Sequence, residues 1–160
     1  MTTSFALTLV GAGTYGYSDS AAFVRSRIRD SYFELQQPQF YFNVLKKALP
    51  ALDEVKAATS ESGWDGYHAS PVTDETYGKA YAFLQALPET VGAPSVSADP
   101  DGDLTFEWFH SARKTLSISV SREGRLHYAA LIGLSNAHGS EVFDAEIPKT
   151  ILNLIQRVNG

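Results

Sequence analysis

Four side chains in this sequence are of the types that could do acid–base chemistry: Asp65, His68, Glu107 and His110. The first two lie in the stretch SGWDGYHASPV, Ser62 to Val72, where two aromatics, an acid, a glycine and a histidine occupy consecutive positions from Trp64 to His68. An acid can orient an imidazole, which then serves as a general base near neutral pH. A small hydrolase or ligand-binding enzyme built this way would bring Asp65, His68, Glu107 and His110 into one pocket within hydrogen-bond reach. It would also need a nucleophile or a held water, and the sequence marks none. No serine sits in a G-x-S-x-G elbow.

The same stretch has a structural reading, and that reading is favoured. Asp65 can accept backbone N–H bonds inside a tight turn, and Gly66 permits the positive φ that such turns often require. Trp64 and Tyr67 are large anchors that would bury about 150–250 Å² each if they dock beneath a sheet. The loop then staples two parts of the fold together. Trp64, Asp65, Gly66, Tyr67 and Trp108 are its structural residues.

Other motifs fall short of a site. GAGTYG, with Gly11, Gly13 and Gly16, matches a dinucleotide fingerprint, but the next helix cap comes only at Ser18 or Asp19. A pyrophosphate site needs the helix to begin at the glycines. DPDGD, Asp99 to Asp103, supplies three acids at alternate positions, yet the twelve-residue calcium loop has no closing glutamate, and Asp-Gly between strands is an ordinary turn. The histidines, at 68, 110, 127 and 138, form no close helical pair. His110 and His127 lie near strand ends and could meet across a sheet together with Glu107, as a candidate ligand group. No metal or cofactor is expected.

These residues must be positioned by elements that the hydrophobic pattern outlines. Phe5 to Val10 is a short strand, and a helix follows from Ala21 with Val24, Ile28 and Leu35 on one stripe. A second helix turns Tyr41, Val44, Leu45 and Ala48 inward. Pro50 interrupts it and starts a short third helix bearing Leu52 and Val55. Thr73 caps the next helix, with Asp74 and Glu75 in its first turn and Val72 and Tyr77 as a hydrophobic staple. Tyr77, Tyr81, Leu84 and Leu87 form its inward face.

From Ser95 the period changes from 3.6 to 2. Leu104, Phe106 and Trp108 alternate with Thr105, Glu107 and Phe109; Leu116, Ile118 and Val120 alternate with serines; Leu126, Tyr128 and Ala130 follow the SREG turn, Ser121 to Gly124. SNAHGS, Ser135 to Ser140, reads as a loop before an edge strand at Val142 and Phe143. Pro148 opens a last helix with Ile151, Leu154, Ile155 and Val158. The pattern predicts an α+β fold: an antiparallel meander of about four strands against N-terminal, middle and C-terminal helices. A single domain over 1–160 is expected, with a mainly helical part over 1–60 and the motif loop, helix, meander and last helix over 61–160.

The 160 residues carry 44% apolar and 19% charged side chains, an ordinary globular composition. No cysteine is present, which removes disulfides, a thiol nucleophile and the usual cysteine-based zinc sites. No apolar run is long enough to cross a membrane. Phe5 to Gly13 has the character of a signal-peptide core, but no Lys or Arg precedes it, so a cytoplasmic location is expected. Net charge is −5, and residues 61–160 hold seven Lys or Arg against thirteen Asp or Glu. Phosphate would be repelled there, which disfavours nucleic acid. Arg25, Arg27 and Arg29 are the exception, a small basic cluster in which Arg25 and Arg29 share a helical face.

Trp64-Asp65-Gly66-Tyr67, Ala69, Pro71-Val72, Phe83-Leu84, Leu87-Pro88, Pro94, Val96, Pro100-Asp101-Gly102 and Glu107-Trp108 occur in an order that resembles a group of small bacterial proteins and domains of uncharacterised function. Its pattern is W-D-G-Y-x-A-x-P-[VI], then a helix ending F-L-x-x-L-P, then P-x-V, P-D-G and E-W. The likeness covers roughly residues 62 to 130. His68 stands where that pattern has glycine, which argues against a shared catalytic histidine. The resemblance implies a compact bacterial module from accessory gene neighbourhoods and brings no activity with it. The expectation is a non-catalytic module that binds another protein, as an accessory factor in defence, anti-defence or toxin neutralisation. Its binding residues would be Arg25, Arg29, Phe40, Tyr41 and Phe42, since three consecutive aromatics cannot all enter one core and aromatics and arginine are favoured at interface centres.

Overall fold

The computed structural model describes residues 42–160. They belong to a compact unit that runs Gln39–Gly160. The strand expected at 5–10, the glycine turn, the helix from Ala21 with Arg25, Arg27 and Arg29, and the residues Phe40 and Tyr41 lie outside the described residues. The elements are α1 Phe42–Ala58, α2 Asp74–Ala86, β1 Ser95–Ala98, β2 Leu104–Ser111, β3 Lys114–Val120, β4 Arg125–Ile132, β5 Ser135–Val142 and α3 Lys149–Asn159. The class is α+β.

Helix α1 corrects one expectation: Pro50 lies inside a continuous helix and does not start a new one. Proline costs the bond from its own position to the carbonyl four residues back, here Lys46. Both Pro50 and Lys46 are exposed, so the carbonyl that loses its N–H partner lies on the solvent side of the helix. Val44, Ala48 and Leu52 meanwhile keep an unbroken four-residue stripe in the core. Burial of that stripe outweighs the lost bond, and the helix runs through.

Helix α2 begins as its sequence requires. The Thr73 hydroxyl accepts the Thr76 N–H at 3.2 Å, and Asp74 and Glu75 occupy the positive end of the helix. Bonding of Glu75 to its own backbone and to the Thr73 hydroxyl holds its carboxyl below the usual range. The inward stripe is Thr76, Ala80, Phe83 and Leu84; Tyr77 and Tyr81, expected inward, flank it half-buried, their rings stacked 6.4 Å apart. Phe83 is the residue that carries the packing, 5.3 Å from the Phe106 ring and edge-on to Phe143 at 5.8 Å.

The five strands form one antiparallel meander in the order β1-β2-β3-β4-β5. Leu104, Phe106, Trp108, Leu116, Ile118, Val120, Leu126 and Ala130 face the helices and are buried. Helix α3 closes the core with Ile151, Leu154, Ile155 and Val158, each contributing about 1.5–3 kcal/mol by leaving water. Among the described residues all three helices pack into this one core, and the opposite face of the sheet carries a mixed set that includes Thr105, Glu107 and Phe109 on β2 and Thr115, Ser117 and Ser119 on β3.

SNAHGS is the second correction. It is strand, not loop: Ser135 to Val142 pairs along its whole length with β4, from Ile132↔Ser135 to Arg125↔Val142. Its residues have weak strand propensity, but a neighbouring strand with eight open backbone groups overrides propensity. Tyr128 lies against Gly139 directly across the ladder.

Candidate functional site

The motif loop leaves α1 at Thr59, whose N–H and hydroxyl both bond to the Val55 carbonyl and whose own carbonyl accepts the Val72 N–H at 3.1 Å. Between those points the chain folds on itself. Gly63 and Gly66 both hold positive φ, 77° and 83°, and the Gly66 N–H donates to the Gly63 carbonyl. One Asp65 carboxylate oxygen accepts the Tyr67 N–H at 2.8 Å and the Ala69 N–H at 3.2 Å. The Trp64 indole N–H donates to the Ser70 carbonyl at 2.9 Å, across the mouth of the loop.

The aromatic anchors do not dock beneath the sheet as expected. Tyr67 is 82% exposed, and Trp64 is half-buried against its own loop. The small residue Ala69 is what enters the interior, at 1% exposure. A loop whose backbone curls around a carboxylate turns its larger side chains outward, because the inside of the curl is filled by the carboxylate and main chain. Asp65 is thus engaged by amides, and among the described residues no hydrogen bond joins it to the exposed His68.

Glu107 and His110 lie elsewhere. Strand β1 starts at Ser95, opposite Glu107, so β2 runs past the end of its neighbour from Trp108 onward. An open cleft of about 360 Å³ occupies that step, lined by Gly92, Ser95, Glu107, Phe109, His110 and Asn159 among others. Its floor is fixed by Trp108, buried at 3%, whose indole N–H donates to the Gly92 carbonyl at 2.7 Å. The four candidates therefore separate into two pairs, one on the motif loop and one in this cleft. His110 and His127 do not meet: His127 lies in the row of Ser119 and Thr105, at the other end of β2.

Asp99, Asp101 and Asp103 form the β1–β2 turn, with the Gly102 N–H bonded to the Asp99 carbonyl and Gly102 at φ 93°. One Asp99 oxygen accepts the hydroxyls of Thr105 and Ser119 at 2.7 and 2.9 Å. Burial raises the Asp103 carboxyl above its usual range, and the charge of Asp101 adds to that. Among the described residues no group of three or more His, Asp or Glu could hold a metal ion. No described helix is long and apolar enough to cross a membrane.

Phe109, Asn159, Gly92 and Ser95 were not singled out by the sequence as cleft residues. Phe109 had a signal: an aromatic ring on the side of β2 otherwise given to Thr105 and Glu107. Asn159 had none, because its place depends on how α3 packs. No protein-family model, curated protein or solved structure matches this chain.

Proposed function

We propose that this chain is a protein-interaction module whose binding face includes the outer side of the sheet around Phe109. The observation that carries the reading is the exposure of that ring. Phe109 stands 66% exposed on the outer face of the sheet, in one row with Thr115, Leu131 and Asn136. A large aromatic left in water beside smaller apolar groups, rimmed by polar ones, has the make-up of an interface centre. Arg25, Arg29, Phe40, Tyr41 and Phe42 stay in the proposal as a second candidate face. The bacterial defence or toxin-neutralising setting comes from the resemblance alone.

The test is capture of the partner from cells of the source organism, with the tagged chain compared against Phe109→Glu and against Arg25→Glu/Arg29→Glu. A stoichiometric protein lost with Phe109→Glu, at unchanged thermal stability, supports the sheet face. Loss only with the arginine variant moves the interface to the N-terminal segment. Capture of no protein by the wild-type chain overturns the module reading.

A further inference from the structure

We infer that β5 pairs with the β5 of a second copy of this chain, antiparallel about a two-fold axis, so that two sheets become one. The inference goes beyond the module reading and does not depend on it, because Phe109 lies on β2, three strands away. The two edges of the sheet are built differently. β1 is four residues long and is bounded by Pro94 and by Asp99-Pro100, the kind of device that blunts an edge. β5 is eight residues long, pairs with β4 without a bulge, and contains no proline, lysine or arginine. Among the described residues no strand pairs with its far side and no helix packs on it.

The direction of the backbone groups along this edge follows from one bond. The Phe143 N–H donates to the Gly124 carbonyl at 2.8 Å, which continues the ladder beyond Arg125↔Val142. Along an antiparallel strand, successive residues bond alternately to one neighbour and to the other. Glu141, Gly139 and Ala137 therefore bond to β4, while Asn136, His138, Ser140 and Val142 turn their N–H and C=O groups to the open side. An axis centred on Gly139 sets His138 against Ser140 of the second copy, and Asn136 against its Val142. All four outward residues of each copy are then used, giving about eight interchain bonds at two per pair.

Side chains suit the same register. Glu141, the one acid of the strand, falls opposite Ala137 of the second copy, so no carboxylate faces another. At the centre Gly139 meets Gly139, with no side chain to hold the strands apart. The space above that glycine is filled from β4, the Tyr128 hydroxyl lying 2.6 Å from where a Cβ would sit. Val142, 62% exposed, gains cover from Asn136 of the second copy.

Sedimentation of the full chain tests the pairing with no other protein present. A monomer–dimer equilibrium is expected, with a dissociation constant on the order of 10 μM. Amide exchange should slow with rising concentration at Asn136, His138, Ser140 and Val142, and be slow throughout at Ala137, Gly139 and Glu141. The variant His138→Lys/Ser140→Lys sets cation against cation in both central pairs and should weaken association by about tenfold or more. Mixing it with His138→Glu/Ser140→Glu should produce a heterodimer. His138→Pro removes one outward N–H, leaves the bonds to β4 in place, and should give a folded monomer.

A wild-type chain that stays monomeric at about 300 μM overturns the inference. So does a dimer that persists in the lysine variant, which would place the contact elsewhere, or the lack of a heterodimer on mixing. Cooperative unfolding of the lysine and glutamate variants establishes that each has folded, whatever the proline variant does. The capture experiment is read separately. A monomer that still captures a protein removes the edge pairing alone, and a dimer that captures none removes the module reading alone.

Discussion

The Ser70 N–H donates to the Pro100 carbonyl at 2.8 Å, and this bond fastens the motif loop to the turn between β1 and β2. A second contact lies beside it. A Cβ added to Gly102 would come within 3.1 Å of the Pro71 carbonyl oxygen. Loop and turn are therefore packed main chain to main chain, and each glycine-dependent turn supports the other.

Gly102→Ala should be strongly felt for that reason. The residue holds φ 93°, where a side chain is strained, and the added methyl also meets the Pro71 oxygen. The expected loss is about 1–3 kcal/mol, read as a lower urea midpoint with unchanged slope. Unchanged stability would mean that the loop and turn are not packed in this way.

In the motif loop Asp65 holds the backbone and the exposed His68 does not. Asp65→Ala removes the acceptor of two amides and should destabilise by about 1–3 kcal/mol, while Asp65→Asn keeps an accepting oxygen and loses less. His68→Ala should change stability by less than about 0.5 kcal/mol, since the side chain is exposed. Equal losses from the Asp65 and His68 variants in thermal unfolding would contradict this division.

Tyr77 reaches from α2 to α1, its hydroxyl donating to Asp53 at 2.5 Å. That bond, then burial and the nearby negative charge, push the phenol up to about 12. A raised folded value means that the proton stabilises the native state. The contribution is complete below the unfolded phenol value near 10 and is lost as pH rises through about 12. The alkaline limb of stability should therefore flatten in Tyr77→Phe, and Asp53→Asn should bring one phenol titration back toward the ordinary value. An unaltered titration in Asp53→Asn would show that Asp53 is not the cause.

Pro50 offers a stabilising change. Alanine there restores an N–H able to bond the Lys46 carbonyl, a helix gain of about 3 kcal/mol, against about 1 kcal/mol of unfolded-state entropy that proline removes. Pro50→Ala should raise stability by about 2 kcal/mol in denaturant unfolding. A decrease would indicate that proline is needed for the path of α1.

The α+β class is legible in the order of residues, because a 3.6-residue period changing to a two-residue period follows from local geometry. The same holds for the Thr73 cap, the inward sides of β2, β3 and β4, the Asp-Gly turn and the inward face of α3. Each depends on residues close together in the chain. Tertiary structure decided the rest, since long-range burial and pairing can outweigh local preference. It carried α1 through Pro50 to keep Val44, Ala48 and Leu52 on one stripe, and it made a strand of SNAHGS because β4 needed a partner. It also turned Tyr67 outward and divided the acid and histidine candidates between the loop and the cleft. Which of those side chains share a site depends on where β1 ends and where Asn159 comes to rest, and neither is a property of any short stretch of sequence.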